Sequence, residues 1–301
     1  MKSAYKLPEA IPMDMGGVGE AFDARLAIVR ELVEQAPLSA MKTILDVGMG
    51  QGQLLKWLSR QGKVCTGTGL EFASYGLDVA ALKRDFGITA VECPVEKMPF
   101  PDKSFDGIIM SHILEHCPNV GVALAEARRV LADDGWLMLF VPPYEDRVCG
   151  GHVSIGWSIG QVMYVLLLNG FDIRHGRFLK YGYNVCAFVQ RSATPLPPLR
   201  KDRGDILILQ QAGLFPAPVE TADGFNDGYF GDLIAFNWNR EFVLNVVMKH
   251  RGDSAFKRLV RRAGRILPLG FRRILSNKLT GAARLLMEDP SAKINPPVLR
   301  G

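Results

Sequence analysis

The sequence predicts an α/β fold: a doubly wound, mostly parallel sheet with helices on both faces and a C-terminal extension. Three observations predict it. β-prone apolar runs alternate with segments of helical period along the first two thirds of the chain, which is the pattern of a parallel sheet. The first run, Thr43–Val47, breaks into Gly48-Met49-Gly50-Gln51-Gly52 and then into the helically spaced Gln53-Leu54-Leu55-Lys56-Trp57-Leu58. That reads as strand, glycine turn and helix start. The second run, Val64–Leu70, ends at Glu71, about 20 residues past the glycine turn, the spacing of an acid that grips ribose hydroxyls.

The elements follow in order. Residues 1–17 read as an extended arm, and 18–35 as a helix with Phe22, Leu26, Val29 and Val33 on one face, stopped by Pro37. Strands are expected near 43–48, 64–70, 88–92, 105–110 and 135–141, with helices near 52–60, 75–85 and 120–131. A further helix is expected over 155–168. Pro195, Pro197 and Pro198 mark a boundary within 191–203. Beyond it, Ile206-Leu207-Ile208-Leu209 reads as a short strand or buried turn, and 213–239, rich in Pro, Gly and aromatics, as a cap over the site or a satellite core. The segments 254–267 and 271–286 are basic and amphipathic. The organisation expected is an N-terminal arm and helix over 1–40, a ligand-binding domain over 41–191, an accessory region over 192–253 and a basic helical tail over 254–301.

Glycines permit φ > 0 and leave out the Cβ, so a ligand can lie against the backbone, and the helix that follows directs free N–H groups at it. A dinucleotide site wants G-x-G-x-x-G. Here Gln53 stands in the third glycine's place and Gly52 comes one residue early. Asp46 would repel a pyrophosphate but suits an α-ammonium group. Glu71 is the candidate for the ribose, with a solvated surface glutamate as the alternative. Phe72 is a candidate against an adenine ring, with ordinary packing as the alternative.

Further on stand Met98-Pro99-Phe100-Pro101-Asp102-Lys103-Ser104-Phe105-Asp106-Gly107-Ile108, then Ile113-Leu114-Glu115-His116, then Arg128-Arg129-Val130-Leu131-Ala132-Asp133-Asp134-Gly135. With the D-x-G-x-G-x-G turn from Asp46 to Gly52, this series resembles the class I S-adenosylmethionine-dependent methyltransferases, and among them the type 11 family of small-molecule methyltransferases. The resemblance covers about 43–189, half the chain. It implies a seven-stranded Rossmann-like sheet, closed by an antiparallel pair over 171–178 and 184–190. It implies S-adenosylmethionine as cofactor, held by Asp46, Gly48, Gly50, Gly52, Glu71 and Phe72, with Ser111 near the methyl. The family usually places an Asp four residues before its Leu-Pro pair to receive the adenine amino group. The matching position here is Pro94, flanked by Cys93 and Val95, so adenine recognition falls to backbone groups of Pro94 and Val95 or to Glu96.

Methyl transfer from a sulfonium is an in-line displacement, so holding the partners in line is the main task, and a base is needed only for an acceptor that must lose a proton. His112 follows the fourth strand, with His116 one turn on. His152 sits in Gly150-Gly151-His152-Val153-Ser154, before a helix. His152 and His112 are the candidate catalytic residues, with His152 as general base. Tyr144 and Tyr183 are candidates for the acceptor pocket.

Hydrophobic content of 48% and charged content of 22% are ordinary for a globular chain. The five cysteines are scattered and form no CxxC, so no zinc or redox site is expected. The odd count and the Pro-interrupted N-terminus point to a reducing, cytoplasmic setting. Residues 241–301 hold 13 Lys+Arg against 4 Asp+Glu, a net of +9, so residues 1–240 sum to −4 of the total +5. A basic amphipathic tail suits an anionic membrane surface, nucleic acid or its own domain. The function expected is methyl transfer to a small-molecule acceptor, such as a hydroxyl of a sugar, a lipid-linked glycan or another envelope-related compound. RNA or protein methylation is the second reading and a non-catalytic S-adenosylmethionine-binding scaffold the third. A nicotinamide dehydrogenase is disfavoured by Gln53.

Overall fold

The computed structural model describes residues 24–144, 150–154, 156–202, 204–216, 220–222, 226–228, 233–239 and 241–243. The expected arm over 1–17 and both basic segments of the tail lie outside the described residues.

Helix α1 (Ala24–Val33) leads into five parallel strands, β1 (Thr43–Val47), β2 (Val64–Gly69), β3 (Thr89–Glu92), β4 (Phe105–Ser111) and β5 (Leu131–Val141). Helices α2 (Gln53–Arg60), α3 (Val79–Phe86) and α4 (Val120–Val130) make the crossovers. After β5 come α5 (Ile159–Leu168), β6 (Phe171–Tyr181), β7 (Asn184–Arg191), α6 (Asp205–Gln211), a small hairpin of β8 (Glu220–Ala222) and β9 (Asn226–Gly228), and β10 (Ala235–Phe236). The main sheet has the order β10-β6-β7-β5-β4-β1-β2-β3. β7 is antiparallel to β5, and β6 to β7, the closing pair expected.

Central strands read as unbroken apolar runs because both faces are covered. In β4, Ile108, Ile109 and Met110 are all fully buried. Helices divide the apolar residues into two cores. Leu124, Ala127 and Val130 of α4 and Val162, Met163 and Leu166 of α5 cover one face. Val29, Leu32 and Val33 of α1 and Leu54, Leu55 and Leu58 of α2 cover the other. α5 begins with a capping box, in which Ser158 and Gln161 satisfy each other's backbone N–H at 3.2 Å.

The structure corrects two expectations. The sheet has eight strands rather than seven, because β10 adds to β6 through Ala235↔Leu179 and Phe236↔Phe178, covering an edge that would otherwise be open. Residues 206–209 form part of helix α6, not a strand or turn; four apolar residues carry too little period to separate the two. The Asp205 carboxylate accepts from the backbone N–H of Arg200 and Lys201 at 2.9 and 2.8 Å and fixes the chain entering α6. Phe215, Phe236 and Trp238 of the aromatic region are buried in the two main cores. Phe225, Tyr229 and Phe230 lie outside the described residues.

The chain runs outward from β1 to β2 and β3, then returns to β4 and β5 on the other side. Loops leaving β1 and β4 therefore part at the carboxyl ends of the strands. That reversal opens the crevice where such sheets bind ligands.

Candidate functional site

Asp46 lies in the central strand, in register with Gly67 of β2 and Ile109 of β4. It is 4% exposed, and burial raises its carboxyl from 3.8 to about 7, because a charge loses its hydration there. Gly48, Gly50 and Gly52 have φ of +73°, +52° and +71°, the left-handed region that glycine enters without strain. At Gly48 the requirement is also steric: a Cβ would stand 2.0 Å from Ile113 Cδ1. Gly52 is the residue before α2, and no side chain caps that helix start.

Glu71 is exposed, two residues past β2. Phe72 is 6% exposed and packs in the core under Gly69, the packing role weighed beside an adenine contact. Its backbone N–H donates to Glu92 Oε1 at 2.7 Å, so the acid ending β3 holds the loop that carries Glu71. Cys93 N–H donates to Gly69 O at 2.9 Å and brings the next residues beside the end of β2. There Pro94 is exposed, Val95 and Glu96 are half-buried, and Lys97 N–H closes a turn onto Pro94 O at 3.2 Å. Burial, followed by the charges of Glu96 and Glu115, pushes the Cys117 thiol up to about 11, which puts Glu96 near the loop after β4.

Ser111 ends β4 opposite Phe140, and His112 follows with φ +56° and its N–H on Phe140 O at 2.9 Å. His112 Nδ1 meets Glu115 Oε1 at 2.9 Å and Nε2 meets Asn184 Oδ1 at 2.9 Å. Asn184 Nδ2 donates to Tyr181 O at 3.3 Å, which orients the amide. Tyr183 stacks parallel to the imidazole, centroids 6.1 Å apart. A base role for His112 thus requires Nε2 to leave Asn184. Tyr144 is exposed, its N–H on Trp157 O at 3.1 Å.

The segment 150–154 folds onto the short turn Leu114–His116. Val153 and Ser154 N–H both donate to Glu115 O, at 2.8 and 3.1 Å, and Ser154 Oγ donates to Cys117 O at 2.8 Å. His152 thereby meets His116 edge to face, ring centroids 5.0 Å apart.

The structure thus gathers Asp46, the three glycines and Ser111 and His112 at the carboxyl ends of β1 and β4, with Glu71 past β2. It sets His152 in a cluster with His116 and Glu115. Sequence reasoning gave no role to Glu115, Asn184 and Glu92. Glu115 carried a signal, an acid three residues after His112. Asn184 lies 72 residues from His112 and carried none.

Residues 45–139 match a family described as "Methyltransferase domain". The chain is 32% identical over 98 residues to a fatty-acid O-methyltransferase of Mycolicibacterium smegmatis, covering 32% of this chain and 36% of that protein. It is 32% identical over 128 residues to a demethylmenaquinone methyltransferase of Thermus thermophilus, covering 41% and 58%. The chain therefore spans about a third to just over half of these relatives. A solved structure, the PH0226 protein of Pyrococcus horikoshii, superposes with a TM-score of 0.46 at 16% identity, covering 56% of this chain and 90% of that one. The match to the type 11 methyltransferase domain family, a class I S-adenosylmethionine-dependent family, is thus carried by residues 45–139.

Proposed function

We propose that the chain transfers a methyl group from S-adenosylmethionine to a small-molecule acceptor of lipid character. One observation carries the cofactor assignment: Asp46 is buried at the glycine turn with its carboxyl raised to about 7. A buried acid of this kind lacks a counter-charge, and an α-ammonium supplies one where a pyrophosphate would add repulsion. The left-handed glycines let the cofactor approach the backbone, and Glu71 accepts the ribose hydroxyls at the end of β2. Ser111 and His112, at the end of β4, face the transferred methyl. The loop 93–96 contacts the adenine through backbone groups or Glu96.

The lipid character is supported by the relatives. Their names specify a fatty acid, demethylmenaquinone and phthiotriol dimycocerosates as acceptors. An acceptor that reacts through a hydroxyl needs a base, and His112 and His152 are its candidates in this reading. The basic segments past residue 253 add an electrostatic reason for work near an anionic membrane surface. Among the described residues no helix is long and apolar enough to cross a membrane.

Calorimetry with S-adenosylhomocysteine and the Asp46→Ala and Glu71→Ala variants tests the cofactor site. Each variant should weaken binding at least tenfold while the melting curve stays cooperative, and unchanged affinity in both would refute the assignment. For the acceptor, the chain is incubated with methyl-labelled cofactor and fractionated cell extract. Label in the lipid fraction is expected; label confined to RNA or protein would refute that class.

A further inference from the structure

Glu115, His116 and His152 hold one donor atom each within 4.8 Å of one another. Glu115 is fully buried, and only one of its carboxylate oxygens is satisfied: Oε1 meets His112 at 2.9 Å, while the buried Oε2 has no hydrogen-bond partner. A buried carboxylate oxygen without a partner is costly. The groups closest to completing it are two imidazoles.

The surroundings suit a metal ligand set. His116 Nδ1 meets Gly151 O at 2.9 Å. A carbonyl only accepts, so Nδ1 carries the proton and Nε2 keeps its lone pair. A backbone carbonyl fixing one ring nitrogen while the other binds metal is the usual outer support of a metal-bound histidine. Gly151 makes the approach possible: its φ is +79°, and a Cβ there would stand 3.3 Å from His116 Nδ1. His152 is brought in by Val153 and Ser154, whose N–H groups anchor on Glu115 O. Glu115 itself is held from behind by His112.

We propose that Glu115 Oε2, His116 and His152 form a binding site for one divalent transition-metal ion of the zinc class, with a fourth position open to an oxygen ligand. Two imidazoles and one carboxylate are a zinc ligand set that keeps an open position. Bonds of about 2.1 Å place tetrahedral ligands about 3.4 Å apart, so no separation in the cluster has to close by more than about 1.4 Å. The exposed His116 and half-buried His152 supply that movement by side-chain rotation, while Glu115 stays fixed. Glu115 then bridges the ion and His112. His152 acts in this arrangement as an ion ligand rather than a free base. The proposal rests on this cluster alone and does not depend on methyl transfer.

The full chain, stripped with chelator, is titrated with Co2+ in the visible and near-ultraviolet and with Zn2+ by calorimetry. One equivalent should bind, with the visible bands of four-coordinate cobalt and no thiolate charge-transfer band. His116→Ala and His152→Ala should each weaken binding at least tenfold, whereas His175→Ala, at an exposed histidine on β6, should not. Unchanged S-adenosylhomocysteine affinity and melting temperature in these variants show that the fold is intact and that cofactor binding is a separate question. Three results would overturn the proposal: no stoichiometric binding, binding that persists in both His variants, or a thiolate band that places the ion on cysteine.

Discussion

Replacing Asp46 by Asn should move stability and ligand affinity in opposite directions. Burial lifts the Asp46 carboxyl from 3.8 to about 7. A raised carboxyl favours the folded chain most below pH 3.8, and that contribution is lost as pH rises through 7. Above pH 7 the full penalty is about 4 kcal/mol, from about 3 units at 1.36 kcal/mol each. Between pH 5 and pH 8 the wild type should lose about 3 kcal/mol through this group alone. Asn keeps the shape without the charge, so the variant lacks this slope and gains about 3 kcal/mol relative to wild type over that interval. For a domain of this size the gain amounts to roughly 6–12 °C in melting temperature. Urea unfolding of both proteins at pH 5, 6, 7 and 8, with and without S-adenosylhomocysteine, reads the effect. The ligand's ammonium should remove most of the wild-type slope, and wild-type affinity should rise as pH passes through 7. The Asn variant should bind at least tenfold more weakly at pH 8. Parallel stability profiles for the two apo proteins, together with equal affinity, would refute the reasoning.

Gly48→Ala should destabilise the chain by about 1–3 kcal/mol and weaken S-adenosylhomocysteine at least tenfold, because φ is +73° and the Cβ meets Ile113 Cδ1 at 2.0 Å. Adding Ile113→Ala removes the clash but not the backbone strain, so calorimetry and chemical unfolding of the double variant should recover only part of the loss; no loss in the single variant would count against the turn geometry. Arg129 bonds Glu126, Asp102, Phe100 O and Met98 O at 2.8, 2.7, 2.8 and 3.0 Å and ties α4 to the loop before β4. Arg129→Ala should cost about 2–3 kcal/mol in urea unfolding without changing ligand affinity, and a cost under about 0.5 kcal/mol would mean the network is too solvated to matter.

Much of the fold was legible because its signals are local. Strand β1, the left-handed glycines and helix α2 follow from adjacent residues whose conformational preferences agree. The antiparallel pair of β6 and β7 was expected from the family resemblance, and both strands formed. Strand β10 was not legible, because Ala235-Phe236 has no period of its own and becomes a strand only by meeting the free edge of β6. Helix α6 was misread because four apolar residues fit either backbone. Among the candidate residues, Asp46, Ser111 and His112 stand at the carboxyl ends of β1 and β4 as their motifs imply, whereas Asn184 is defined only by its distant partner His112 and carried no signal.

Taken alone, the sequence determined the α/β class, the glycine turn after Thr43–Val47 and the acid past the second strand, because each is set within a few residues along the chain. Tertiary structure alone decided that Asp46 loses its hydration, that Asn184 reaches His112 and that His152 joins His116 and Glu115. Burial and contact depend on which segments the folded chain packs together, and pairs separated by 35 to 72 residues, such as His116 with Gly151 or His112 with Asn184, leave no periodic trace in the sequence.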